Sequence, residues 1–172
     1  MVSALVTIIT AFAKLCVFRI APQDIPRSGA LLVIATLTNL SFSVLINQIQ
    51  LSVGSALLVA AIEVIALAIL TAVVLFYVSH LNRLIQTMTA LMGSGAVIGA
   101  AVLILMFTVP ALPPVVRLAI FVWNLAVIAH ILRHALEIHI IGAFFIALGY
   151  AMCLIQLIIF IGRSFGADFA GA

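Results

Sequence analysis

Residues Gly54–Val78 read GSALLVAAIEVIALAILTAVVLFYV, and Glu63 is the single charged side chain in the run. At about 1.5 Å of rise per residue a helix of this length exceeds the ~30 Å of hydrocarbon in a bilayer. In lipid the backbone has no water to bond, so such a run crosses as a helix that satisfies its own N–H and C=O groups. Working outward from it, four more stretches qualify: Gly29–Ile49, Thr87–Val109, Pro113–Leu132 and Ile140–Ile161. The expected fold is all-α, a polytopic transmembrane bundle of about five spans.

The breaks between the runs are short. Asn47-Gln48-Ile49-Gln50 closes the first, and Ser79-His80-Leu81-Asn82-Arg83 separates the second from the third. A stiff Pro110-Ala-Leu-Pro113-Pro114 turn opens the fourth, where proline costs no helical hydrogen bond. Arg133-His134-Ala-Leu-Glu137-Ile-His139 joins the fourth to the fifth. Neighbouring spans are therefore antiparallel hairpins, with no room for a second domain.

Composition agrees. Of 172 residues 67% are hydrophobic and 6% charged, and the mean hydropathy is +1.50. A soluble domain carries roughly 25% charged residues; seven basic and four acidic side chains cannot wet a globule of this size. The net charge of +3 is spread along the chain and forms no nucleic-acid patch. The basic residues set topology instead. With the N-terminus inside, Lys14, Arg19, Arg27, Arg83 and Arg133 fall on the cytoplasmic side and Arg117 and Arg163 on the other, as the positive-inside rule requires. The scarcity of soluble loops points to a bacterial inner membrane, with the N-terminus cytoplasmic and the C-terminus outside.

The first 27 residues differ from the rest. Val2, Leu5, Ile8, Ile9, Phe12, Leu15 and Cys16 recur near a helical period, with Ser3, Thr7, Thr10, Lys14 and Arg19 between or beyond them. This predicts an interfacial amphipathic helix lying on the membrane, a sixth short span being the competing reading. It enters the first span through the turn Ala21-Pro22-Gln23-Asp24-Ile25-Pro26-Arg27. The segment is not read as a signal peptide, because its apolar part precedes its first positive charge, Lys14. The organisation expected is 1–27 interfacial helix and turn, 28–163 five-helix domain, and 164–172 a short tail.

Three polar side chains fall well inside the bilayer: Asn39, Glu63 and Asn124. A carboxylate there costs about 2.5–3.5 kcal/mol, so Glu63 is expected to face the bundle interior. Two readings follow. The bland one is a polar clasp holding three helices in register, with Glu63 protonated; it carries the greater weight, because one acid without a companion base makes a poor transporter. The sharper one is a proton or solute site, with Glu63 as carrier and the two amides as partners.

The four histidines gather at one level. His130 and His134 are four apart and share a helical face, and His80 on another span could complete a haem or zinc site. HxxxH alone is a weak motif, and histidines are ordinary at a wet boundary, so no metal and no cofactor is assigned. Arg133 and Glu137, also four apart, are expected to form a surface pair. Gly93-Ser94-Gly95 lacks the Gly-x-Ser-x-Gly spacing of a nucleophile turn, and Gly95 and Gly99 read as a small-xxx-small approach between helices. No catalytic residue is assigned. Cys16 and Cys153 form no CxxC and no disulfide framework, although Cys16 is placed where reversible acylation could act. Trp123, at mid-span, is expected to pack inside.

Ala21-Pro22-Gln23-Asp24-Ile25-Pro26 ahead of the first span and Val122-Trp123-Asn124-Leu125 in the fourth give the chain a resemblance to the Yip family. That family has a cytoplasmic N-terminal segment, five closely spaced spans and a C-terminus on the far side. Eukaryotic members are implicated in membrane trafficking. The resemblance supplies no catalytic residues to carry over, and this chain lacks the long N-terminal region of many relatives. The function expected is that of a non-enzymatic scaffold or accessory subunit, acting through intramembrane contacts with lipid, a membrane-protein partner or a second copy. The alternatives are a small proton-coupled transporter using Glu63 and a haem- or metal-binding subunit using His80, His130 and His134.

Overall fold

The structure, a computed structural model, describes residues 2–109 and 112–164; the tail beyond residue 164 and the start of the proline turn at 110–111 lie outside the described residues. Six α-helices follow in order: α1 (Val2–Cys16), α2 (Gly29–Asn47), α3 (Val53–Tyr77), α4 (Leu84–Thr108), α5 (Pro114–Leu136) and α6 (Ile140–Ser164). Two short 3₁₀ turns, Pro22–Asp24 and Leu81–Arg83, lie before α2 and α4, and no strand occurs among the described residues. Helices α2 to α6 are long and apolar enough to cross a membrane. The chain is an all-α polytopic bundle. Several helices overrun the apolar runs: α4 begins at Leu84, taking in Gln86, α5 continues through Arg133 and His134 to Leu136, and α6 runs on to Ser164. A helix keeps its backbone bonds after it leaves the hydrocarbon, so apolarity marks the membrane and not the helix end.

The most enclosed span is α4. Its Thr87–Ser94 half is buried on every side, and its glycines explain how neighbours come so close. The faces of Gly95 and Gly99 carry Asn39 and Phe42 of α2, with the Phe42 Cβ 3.0 Å from where a Gly99 Cβ would stand. Asn39 at Gly95 and Phe42 at Gly99 rise together, so α2 and α4 run parallel. Gly93 faces the ring of Phe12 from α1. The sequence pair Gly95/Gly99 is thus a true small-xxx-small contact. Around it Phe12, Leu15, Leu31, Leu91, Met92 and Val127 form one core. A second core joins α3, α5 and α6, where Ala129, Ala143 and Ala147 are almost wholly buried and let the hairpin helices approach.

The α1 face foreseen for the membrane interface is turned in large part into the bundle: Phe12, Leu15 and Cys16 are buried, while Ile9 stays half exposed. The chain then runs back along α5. The Trp123 indole N–H donates to the Cys16 carbonyl at 3.0 Å, His130 Nε2 meets the Ile20 carbonyl at 3.0 Å, and the Gln23 amide donates to the His134 carbonyl at 2.7 Å. From α4, Gln86 donates to the carbonyls of Gln23 and Ile25 at 2.9 and 2.7 Å. Trp123 packs inside as expected, and it does so with its one polar atom bonded.

Helices α1, α3 and α5 end alike. Phe18, Ser79 and Glu137 take positive φ of 61°, 60° and 57°. In each case the next N–H reaches back five residues: Arg19 to Lys14, His80 to Leu75 and Ile138 to Arg133. This is the Schellman stop, here made without glycine.

Since the Gly99 contact is with a Cβ and not a flexible tip, a larger side chain there must push α2 from α4. Gly99→Leu is expected to lower stability by about 1–3 kcal/mol. Thermal unfolding in mild detergent checks this, with Gly54→Leu, whose surroundings are open, expected to melt like the parent.

Candidate functional site

Asn39, Glu63 and Asn124 line one cavity of about 450 Å³ between α2, α3, α4 and α5. They lie at one depth. Counting about 1.5 Å per residue from the α2–α3 and α4–α5 end of the bundle, Asn39 is roughly 12 Å in and Glu63 and Asn124 roughly 15 Å. A smaller cavity of about 280 Å³ shares Asn47 and Glu63 with the first and runs to Gln50 and Leu51 in the α2–α3 loop. Glu63 therefore stands where the two meet.

The three residues face the interior, as a polar group in lipid must, but they do not bond one another. The Ser43 hydroxyl donates to Glu63 Oε2 at 2.7 Å, and the Asn47 amide donates to Ser43 Oγ at 3.3 Å. That ties α2 to α3. The Asn39 amide points the other way, to the Met92 sulfur at 3.7 Å. Asn124 makes no side-chain hydrogen bond among the described residues and borders the cavity. The clasp foreseen for three helices is a clasp of two, with hydrogen-bonding capacity left over toward an open space.

Sequence reading missed three members of the site: Ser43, Asn47 and Arg117. A signal for two of them existed. Asn39, Ser43 and Asn47 are spaced by four and form a polar stripe along one face of α2. Arg117 carries no such signal, because an arginine three residues into a span reads as a boundary charge. Its Nε–H donates to the Leu112 carbonyl at 3.0 Å.

The histidines do not converge. His80 lies 3.9 Å from the Glu137 carboxylate. His130 and His134 stack edge to face with centroids 4.7 Å apart, and Phe18 covers His130 at 5.3 Å. The His139 ring accepts the Ile141 N–H at 3.4 Å. Among the described residues no three His, Cys, Asp or Glu side chains gather to hold a metal ion. His130 is engaged with a backbone carbonyl, so the foreseen His80, His130 and His134 set is divided between two separate contacts. Ser94 is occupied within its own helix, its hydroxyl donating to the Leu91 carbonyl at 3.1 Å.

Glu137 does not take up the i, i+4 pair with Arg133. Its left-handed backbone turns the carboxylate to Arg83 instead. Arg83 also donates to the Ala135 carbonyl at 3.3 Å, which places a cation on the C-terminal end of α5.

Comparison with known protein families, with curated proteins and with solved structures finds no match to this chain.

The Arg83 hydrogen bond and charge hold the Glu137 carboxyl below its ordinary value of 4.5. A depressed carboxyl contributes stability above the unfolded-state value and loses it as pH falls through the folded-state value. Thermal unfolding of the parent is therefore expected to weaken below about pH 4.5 more steeply than that of Glu137→Gln, with the gap between them closing as the carboxyl protonates.

Proposed function

We propose that this integral membrane protein is a non-enzymatic carrier that binds a small polar solute at Glu63 and couples its movement to protons. One observation carries the reading: a carboxyl and several amides border a shared cavity without using one another up. A carboxyl at this depth is tolerable with a proton or beside a cationic partner, which lets it exchange one for the other. The size of the cavity falls within the range of small-molecule sites, and its walls are mostly apolar with few polar groups. The smaller cavity supplies a route from the α2–α3 loop.

In the orientation favoured by the basic residues, that loop faces outside a bacterial inner membrane and the N-terminus lies in the cytoplasm. The Yip-like kinship belongs to this proposal too. Its support is the five-span layout, together with the 21–26 and 122–125 stretches of the sequence.

A second reading, the scaffold or accessory subunit, rests on a different observation. Helix α3 leaves Leu57, Ile65, Ile69, Val73 and Phe76 exposed along its length, a face that lipid or a partner span would cover.

The test uses the purified chain in liposomes loaded with a pH-sensitive dye, challenged with amines, amides, amino acids and carboxylates. The carrier reading expects at least one class to move protons, and Glu63→Gln to slow that flux about tenfold or more while eluting as a folded protein. Equal flux with and without the carboxyl overturns it. A stoichiometric membrane partner in a mild-detergent pull-down, with no solute moved, favours the accessory subunit.

A further inference from the structure

Most buried hydroxyls in this bundle are spent within their own helix. Thr87, Thr89 and Ser94 of α4 donate to the Arg83, Ile85 and Leu91 carbonyls at 2.9, 2.7 and 3.1 Å. Thr71 of α3 makes no such bond. It is wholly buried, and Tyr150 of α6 is only 3% exposed. The Tyr150 hydroxyl lies beside Thr71 across the α3–α6 seam. Neither oxygen reaches a hydrogen-bonded geometry with any partner among the described residues. Such a pair is costly to bury, and valine with phenylalanine would fill the same space without that cost.

The position of the pair gives it a use. Glu63, Leu67 and Thr71 are spaced by four and form one winding row along α3. On α6, Leu154 stands one turn from Tyr150. Leu67 and Leu154 both line the larger cavity, so its leucine floor is one turn from each hydroxyl-bearing residue. Leu75, one turn further along α3, is wholly buried in the same core as Tyr150. Along the axis Thr71 lies about 12 Å beyond Glu63 and about 9 Å short of the end of α3 at Tyr77.

The two cavities reach Glu63 from the α2–α3 side. A proton taken up there has to leave by the other end of the bundle, where the apolar core offers it no acceptor. A hydroxyl can accept a proton on its oxygen while passing its own onward, so it relays without being left ionised. We infer that Thr71 and Tyr150 form an inner proton relay, which receives the proton of Glu63 when the leucine floor parts and hands it toward the α3–α4 end; this rests on the carrier reading above. One O–H bond breaks at the Glu63 carboxyl, each hydroxyl gains one proton and gives up another, and one proton is delivered. Water entering as the floor parts bridges the rest of the ~12 Å.

The experiment uses the full chain in liposomes with the internal pH dye and the amine, amide, amino-acid and carboxylate probes. Thr71→Val and Tyr150→Phe remove the hydroxyls at nearly constant shape, and each is expected to slow proton flux about tenfold or more. Their thermal unfolding in mild detergent should match or exceed the parent's, because no hydrogen bond is lost. Thr71→Ser keeps a hydroxyl and should hold the flux within about twofold of the parent. Flux that persists in Thr71→Val and Tyr150→Phe but is lost in Glu63→Gln overturns the relay and leaves the carrier standing. Slowed flux in variants that also melt earlier, with Thr71→Ser no better than Thr71→Val, makes the pair a packing contact and overturns the relay as well. A folded parent that moves no protons with any probe overturns both.

Discussion

The approach of α2 to α4 across Gly95 and Gly99 sets the positions of everything else in the bundle. Without side chains at these two places α2 can lie close and parallel to α4, and that fixes its rotation. The rotation lays Asn39 on α4 and turns Ser43 toward Glu63 of α3, with Asn47 bonded to Ser43 one turn further on. Glu63 then has Ser43 to bond and a protein-lined space to face in place of lipid. A polar stripe on an isolated span would cost several kcal/mol in hydrocarbon. Here the same stripe becomes the wall of a site.

The N-terminal segment works on the opposite flank of α4. Phe12 fills the opening at Gly93, and the returning chain is bound by Trp123, His130, Gln86 and its own Gln23. Most of these bonds pair a side chain with a backbone carbonyl that helix breakage has left free. These bonds give the irregular backbone partners where it packs against the helices. The arrangement leaves the cavity on the other side of α4 clear of the linker. The polar side chains that hold the linker are bonded to it, whereas Asn124 and one oxygen of Glu63 face the cavity without a side-chain hydrogen bond among the described residues.

Much of this was legible in the chain itself. Five apolar runs marked five helices, because the membrane imposes a length and a helical backbone on any run that crosses it. Glu63 and the two mid-span asparagines were legible for the same reason: a polar group at that depth must face protein and not lipid. What the sequence did not disclose were contacts set by helix rotation and by turns. Glu137 looked like a partner for Arg133, but a left-handed stop without glycine leaves no mark in the sequence, and it redirected the carboxylate to Arg83. The histidines looked like a cluster because they share a level, yet level says nothing about azimuth, and His130 faces the returning linker. The Asn39, Ser43 and Asn47 stripe is visible at spacing four, but only Asn39 stands out by depth, because a serine is cheap in a span and Asn47 lies at its end. Arg117 joined the site only because the bundle brings the start of α5 over the cavity.

The central claim is that this polar stripe and Asn124 border water-accessible space and not a sealed helix seam. Cysteine accessibility addresses it directly, since a thiol reacts through its thiolate and needs a hydrated setting. Cys16 is buried, so replacing exposed Cys153 by alanine provides a quiet background. In that background Asn124→Cys is expected to react with a membrane-impermeant thiol reagent at a rate approaching that of Gln50→Cys in the α2–α3 loop. Ile65→Cys, on the exposed apolar face of α3, should stay inert. An Asn124→Cys protein as unreactive as Ile65→Cys would contradict the account.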